Sequence, residues 1–199
     1  MRDAAREQRK AQIEAAAYLV LAEKGFQNMS MLAVAKAAKA SNETLYRWYG
    51  DKTGLFQALI EANAEVVVER LQAQLDASLD PKSALSDLGP LLLDMLLGDR
   101  AIALNRVAAA DASGALGQVL AQAGRGRVFP LIVQVFQRLV DGKVLVGTPP
   151  ELARLYVDLL VGDLQIRRAT GALSRLTEAG RQERAKLAEA RVFTLAAPG

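Results

Sequence analysis

SNETLYRWYGDKTGLF, residues 41 to 56, mixes four aromatic rings with hydroxyls, an amide, an arginine and a lysine. Groups of these types at this spacing suit gripping a polyanion. Lys52 is a flexible point charge for a phosphate, and Arg47 has the planar fork that reads guanine bidentately. Ser41, Asn42, Thr44 and Tyr46 supply short polar groups for phosphates or base edges. Trp48 has no hydrogen-bond code and suits a thymine methyl or a sugar face. The rival reading, an aromatic core patch, requires Tyr46, Trp48 and Tyr49 to be buried together, which helical geometry forbids. The chain has no His and no Cys. That removes thiol nucleophiles, histidine bases, disulfides and ordinary zinc sites, so neither a metal nor a cofactor is expected.

Charge and aromatics are concentrated at the same end. Residues 1–54 carry nine Lys/Arg against six Asp/Glu, whereas residues 55–199 carry sixteen of each. Residues 1–56 also hold six of the ten aromatic residues. This asymmetry assigns the N-terminal quarter to a polyanion and the remainder to another task. The composition, 51% hydrophobic and rich in Ala and Leu, predicts an all-α protein with a substantial core. AAAYLVLA near the N-terminus is too short, and too acidic in its flank, for a signal peptide. LLLDMLL is too short to span a bilayer, so a cytoplasmic protein is expected.

Periodicity supplies the elements that must hold these groups. Ile13, Ala17, Val20 and Leu21 form one helical stripe that stops near Gly25. Ser30 is placed to cap a two-turn helix whose apolar face is Met31, Val34, Ala35 and Ala38. After the tight connection at Lys39 and Ala40, Ser41 caps a third helix with Leu45 and Tyr49 facing inward. Gly50 ends it, and Asp51 opens a longer helix. Two short helices joined by a tight turn, with a helix before and after, form a helix-turn-helix; the second enters the major groove. Glu43 suits the dipole at the helix start, or a cytosine amine. Arg2, Arg6, Arg9 and Lys10 read equally as an arm over the DNA backbone or as a solvated face.

SMLAVAKAAKASNETLYRWYGDKTGLF resembles the DNA-binding signature of the TetR (tetracycline repressor) family of transcriptional regulators. The matching positions are Ser30, Val34, Ala35, Ala38, Ser41, Thr44, Leu45, Tyr46, Tyr49, Lys52 and Leu55. Lys39 and Ala40 depart from it, standing where the family usually has Gly and Val. A left-handed Lys39 costs about 1 kcal/mol. The resemblance implies that Ser30, Ser41, Asn42, Thr44, Tyr46, Arg47, Trp48 and Lys52 form the DNA-contacting set, with Tyr46 and Lys52 on phosphates. It also implies a helix-turn-helix domain over 1–54 and a helical regulatory and dimerisation domain over 55–199.

The C-terminal part reads as helices near 82–97, 100–112, 114–140, 149–171 and 174–193, with Pro130 expected to kink or split the third. NRVAAADASGAL, GRVFPLIVQVF and PELARLYVDLLVGDLQIRRATG are similar to a regulatory domain found in part of the same family. That likeness implies an internal small-molecule pocket and a homodimer made by the last two long helices. Leu152, Leu155, Leu159, Gly162 and Ile166 form one helical stripe, on which Gly162 permits close approach of another helix. Leu155, Leu159, Gly162 and Ile166, with Leu176 and Leu187, are the expected interface; the rival is that both helices cover only their own core. Arg106, Asp111, Asp94 and Asp163 interrupt apolar helices, but none is assigned to a ligand, and Arg106 with Asp111 also reads as an ion pair. The implied function is a repressor that binds a palindromic operator and is released by an unidentified effector. Two alternatives keep the helix-turn-helix as scaffold: a helical enzyme, which the missing His and Cys disfavour, and a protein-interaction module.

Overall fold

The computed structural model describes residues 2–77 and 79–198, with Arg2 and Asp3 described by backbone alone. Helices run in the order α1 (Arg2–Asn28), α2 (Met31–Ala37), α3 (Asn42–Tyr49), α4 (Lys52–Asp76), α5 (Pro81–Leu97) and α6 (Asp99–Ala109). Then come α7 (Ala115–Leu120), a π-helical turn (Ala121–Arg125), α8 (Gly126–Asp141), α9 (Pro149–Val161), α10 (Leu164–Thr170) and α11 (Glu178–Leu195). The described residues contain no strand, which gives the expected all-α architecture.

Apolar side chains gather in two cores that α4 joins. The first core packs Ile13, Val20, Val34, Leu45, Leu55 and Phe56, and it also takes in Leu104 of α6, Leu116 of α7 and Ala123 of the π-helical turn. The second packs Val67 and Leu71 of α4 with α5, α8, α9 and α11 around Phe136 and Tyr156. There α5 and α11 approach closely: a Cβ on Gly89 would lie 2.6 Å from both Ala185 Cβ and Tyr156 Oη. The start of α4 is thus buried in the first core, against α3, while its end lies in the second.

The caps follow the sequence. Ser30 accepts from Ala33 N and Ser41 from Thr44 N, while Asp51 accepts from Gly54 N at 2.8 Å. Three C-terminal expectations are corrected. The 149–171 segment is two helices, because Gly162 ends α9 at φ 49°, a left-handed backbone that side-chain-bearing residues avoid. Read as a small residue for close helix packing, Gly162 is instead a break, so the stripe from Leu152 to Ile166 does not continue on one helix. The last helix begins at Glu178, capped by Thr177, rather than at 174. Pro130 sits inside α8, and the irregularity falls one turn earlier, in the π-helical turn.

Candidate functional site

The turn between α2 and α3 is a Schellman motif: Ala40 N donates to Ala35 O and Lys39 N to Lys36 O. Lys39 adopts φ 51°, the left-handed conformation that the missing glycine implied. This fixes how α3 leaves α2. On α3, Leu45 is fully buried and Tyr49 is half-buried, while Asn42, Glu43, Tyr46 and Arg47 are exposed. Tyr46 is 52% exposed. Ser30 and Ser41 sit at the caps, with Thr44 Oγ1 sharing a 2.8 Å hydrogen bond with Ser41 Oγ. The exposed face of α3 therefore presents Asn42, Tyr46 and Arg47, with the Ser41 hydroxyl at its N-cap.

Trp48 and Lys52 are more engaged than expected. Trp48 is half-buried; it packs edge-on to Tyr49, and the Arg6 guanidinium lies 5.9 Å from its ring centre. Lys52 donates from Nζ to Phe26 O at 2.9 Å and Gln27 O at 3.3 Å, and it lies over the Phe26 ring. Its ammonium ties α4 to the carbonyl end of α1, whose charge it complements.

Near the N-terminus, Arg9 reaches back to hydrogen-bond the fold. It donates through Nη1 to Ala38 O at 3.3 Å and through Nη2 to Lys39 O. Those carbonyls belong to the turn, thirty residues away in sequence, so no local pattern pointed to them. Arg2's side chain lies outside the described residues.

Behind α3 lies a buried polar pair. Glu14 Oε1 and Tyr49 Oη are buried without partners among the described residues. Burial raises the Glu14 carboxyl above its ordinary range, more than Lys10 and Arg100 lower it, and Glu7 adds to the rise. Burial, then Glu14 and Glu7, push the Tyr49 hydroxyl up to about 12. A carboxyl with a raised native pKa adds stability below its unfolded range, and that stability is lost as pH rises through the native value. Glu14→Gln is therefore expected to unfold at higher urea than the parent at pH 7, the difference closing on acidification toward pH 4. An unchanged difference between these pH values would refute the assignment.

A cavity of about 320 Å³ lies where α4, α5, α6, α7, the π-helical turn, α8 and α9 meet, with Gln165 of α10 at its wall. The lining is mainly aliphatic, with Asn63, Asn105, Gln165 and Arg125 as its polar and charged groups. None of the four charged interrupters of the C-terminal helices lines it. Asp94 accepts from Arg175 at 3.1 Å, and Asp163 lies 3.9 Å from Arg167. Asp111 caps Leu116 N at 2.8 Å, and Arg106 donates to Ala169 O at 2.7 Å, so the Arg106–Asp111 ion pair does not form. Uncharged amides, unremarkable in a sequence, are what the packing aims at the cavity.

Among the expected interface residues, Leu155, Leu159 and Leu176 pack partly against their own core. Ile166 and Leu187 stand 62% and 43% exposed, and Gly162 is exposed at the break.

Family models match both parts of the chain. That for bacterial regulatory proteins of the tetR family covers residues 13–59, and that for the C-terminal domain of AefR-like transcriptional repressors covers residues 83–196. The chain belongs to the TetR family of transcriptional regulators. Its α2 and α3 are the DNA-binding helix-turn-helix of that family. Solved structures of similar fold include a TetR-family regulator from Mesorhizobium loti MAFF303099, at 22% identity and TM-score 0.78, covering 96% of this chain and 98% of that one. A TetR transcriptional regulator from Agrobacterium tumefaciens matches at 26% identity and TM-score 0.74 over 94% of each chain. The flavonoid-responsive regulator FrrA matches at 26% and 0.69 over 96% of this chain and 98% of that one. No curated protein matches significantly in sequence. As a TetR-family regulator the chain acts by binding DNA. No helix among the described residues is long and apolar enough to cross a membrane.

Proposed function

We propose that this TetR-family chain is a homodimeric repressor that binds a palindromic operator and is released by a small-molecule effector. In this reading residues 1–54 recognise DNA, and residues 55–199 dimerise and sense the effector. The observation that carries it is the cavity, because Ile60, Asn63 and Ala64 of its wall lie on α4, the helix that begins against the end of α3. An effector that fits best when α4 is displaced favours dimers whose recognition helices no longer match two half-sites about 34–36 Å apart. The response of FrrA to flavonoids, in a protein of 26% identity, supports an organic effector. Ile166 and Leu187, with Leu155, Leu159, Gly162 and Leu176, are assigned to the dimer. Asn42, Thr44, Arg47 and Trp48 are assigned to the groove, and Ser30, Ser41, Tyr46 and Lys52 to the DNA backbone.

Selecting duplexes from genomic DNA, then measuring anisotropy against salt, tests this reading. Operator affinity should fall steeply with salt. Tyr46→Phe should weaken all duplexes alike, and Arg47→Ala should cost about 1–3 kcal/mol at the preferred sequence while flattening base preference. Sedimentation should show a dimer that Ile166→Asp dissociates. A protein that selects no sequence at low salt, or that stays monomeric at micromolar concentration, would overturn the proposal.

A further inference from the structure

Resting on that reading of the cavity as the effector site, we infer that its ligand is an apolar-bodied organic acid carrying a hydroxyl donor, and that organic cations are disfavoured. Among the described residues the walls carry no carboxylate, so a bound ammonium would lose its hydration with no counter-charge. Among the described residues the one charged lining residue is Arg125, in the π-helical turn. Its guanidinium lies over Phe129 at 5.0 Å and has no carboxylate partner among the described residues, unlike Arg127, which pairs with Glu65 at 2.8 Å. Arg125 is exposed, so it stands at the rim, where an anionic end of the ligand keeps partial solvation. Deeper groups set the second requirement. Asn105 donates its amide nitrogen to Ala101 O at 2.9 Å, and Gln165 donates to Leu96 O at 3.2 Å. A carbonyl accepts and never donates, so these bonds fix both amide orientations and leave the two side-chain oxygens as acceptors. They match a hydroxyl, while the aliphatic lining matches a ring or chain. The volume lies at the small end of the ~300–1,000 Å³ typical of ligand sites, which suits a compact molecule.

Gly117 provides the control. It lines the cavity, and a Cβ there would meet nothing within 4 Å. Gly117→Leu therefore fills empty space, and the change improves helix propensity on α7.

Calorimetry on the full chain would use four naphthalenes: 6-hydroxy-2-naphthoate, 6-methoxy-2-naphthoate, 6-hydroxy-2-naphthylmethylammonium and neutral 2-methoxynaphthalene. The hydroxy acid should bind about tenfold more tightly than the methoxy acid and the ammonium, one good hydrogen bond or ion contact each. Arg125→Gln should erase the preference for acid over ammonium, and Asn105→Leu should erase that for hydroxyl over methoxyl. Gly117→Leu should fold as the parent does and bind none of the four. If the ammonium matches the acid, or Arg125→Gln leaves the order unchanged, the ligand class is wrong. Binding of 2-methoxynaphthalene that Gly117→Leu abolishes would then still uphold the cavity. If Gly117→Leu binds the neutral probe as the parent does, or no probe binds the parent, the cavity reading falls with it.

Discussion

Gly54→Ala is expected to displace the recognition helix. A Cβ at position 54 would stand 1.9 Å from Tyr49 O and 3.1 Å from Tyr49 C. Both are backbone atoms at the end of α3, so no rotamer change can make room. Gly54 is the third residue of α4, and its N–H is already held by the Asp51 cap. The end of α3 and the first turn of α4 thus touch backbone to backbone, which no residue with a side chain permits. Overpacking of this kind costs about 1–3 kcal/mol. Its effect on DNA binding should exceed its effect on folding, because relief requires α3 to move relative to α4. Trp48, the only tryptophan, reports from this spot. Gly54→Ala should lower the urea midpoint read by Trp48 fluorescence, and operator affinity should fall at least tenfold in protein that is still folded. Gly117→Ala is the matched control and should leave both unchanged or improved. Wild-type affinity in Gly54→Ala would show that the contact does not position α3.

The contrast between these two glycines marks where sequence reasoning stops. Signals within one turn of chain were legible: Ser30 and Ser41 as caps, Asp51 as the opening of the next helix, Gly50 as a stop, and Leu45 facing inward. Each depends on neighbours three or four residues away, and the structure keeps them. What depended on distant chain was not legible. Lys52 reads as a phosphate ligand from its place in the motif; that its ammonium also donates to Phe26 O and Gln27 O depends on the fold of α1 and leaves no local signal. Gly162 on a leucine stripe reads as a packing glycine, because sequence does not separate small size from left-handed backbone. Asn63, Asn105 and Gln165 carry no local signature; only the meeting of α4, α6 and α10 makes them a set. Charged interrupters such as Asp94 and Arg106 drew attention because charge in an apolar run is conspicuous. They were spent on caps and surface pairs.

The same distinction gives Arg9 a testable role. Read locally it belongs to a basic arm, and an arm residue on phosphate makes one prediction: its removal lowers the salt slope of operator binding by about 0.9. The observed geometry makes another. Arg9 holds the carbonyls of Ala38 and of Lys39, the left-handed lysine that stands where glycine is usual. Hydrogen bonds from a charged donor contribute about 1.5–3 kcal/mol, enough to offset the 1–2 kcal/mol of a left-handed side-chain-bearing residue. Arg9→Ala should therefore destabilise the turn and weaken operator binding with little change in salt slope. Lys39→Gly removes the strain, so the loss caused by Arg9→Ala should be smaller in the Lys39→Gly background. A double-mutant cycle in urea should give a coupling of about 1 kcal/mol between these residues, inside the range for groups in contact. Additive effects with a reduced salt slope would return Arg9 to the DNA backbone. Coupling with an unchanged slope would make it the residue that lets this helix-turn-helix dispense with its glycine.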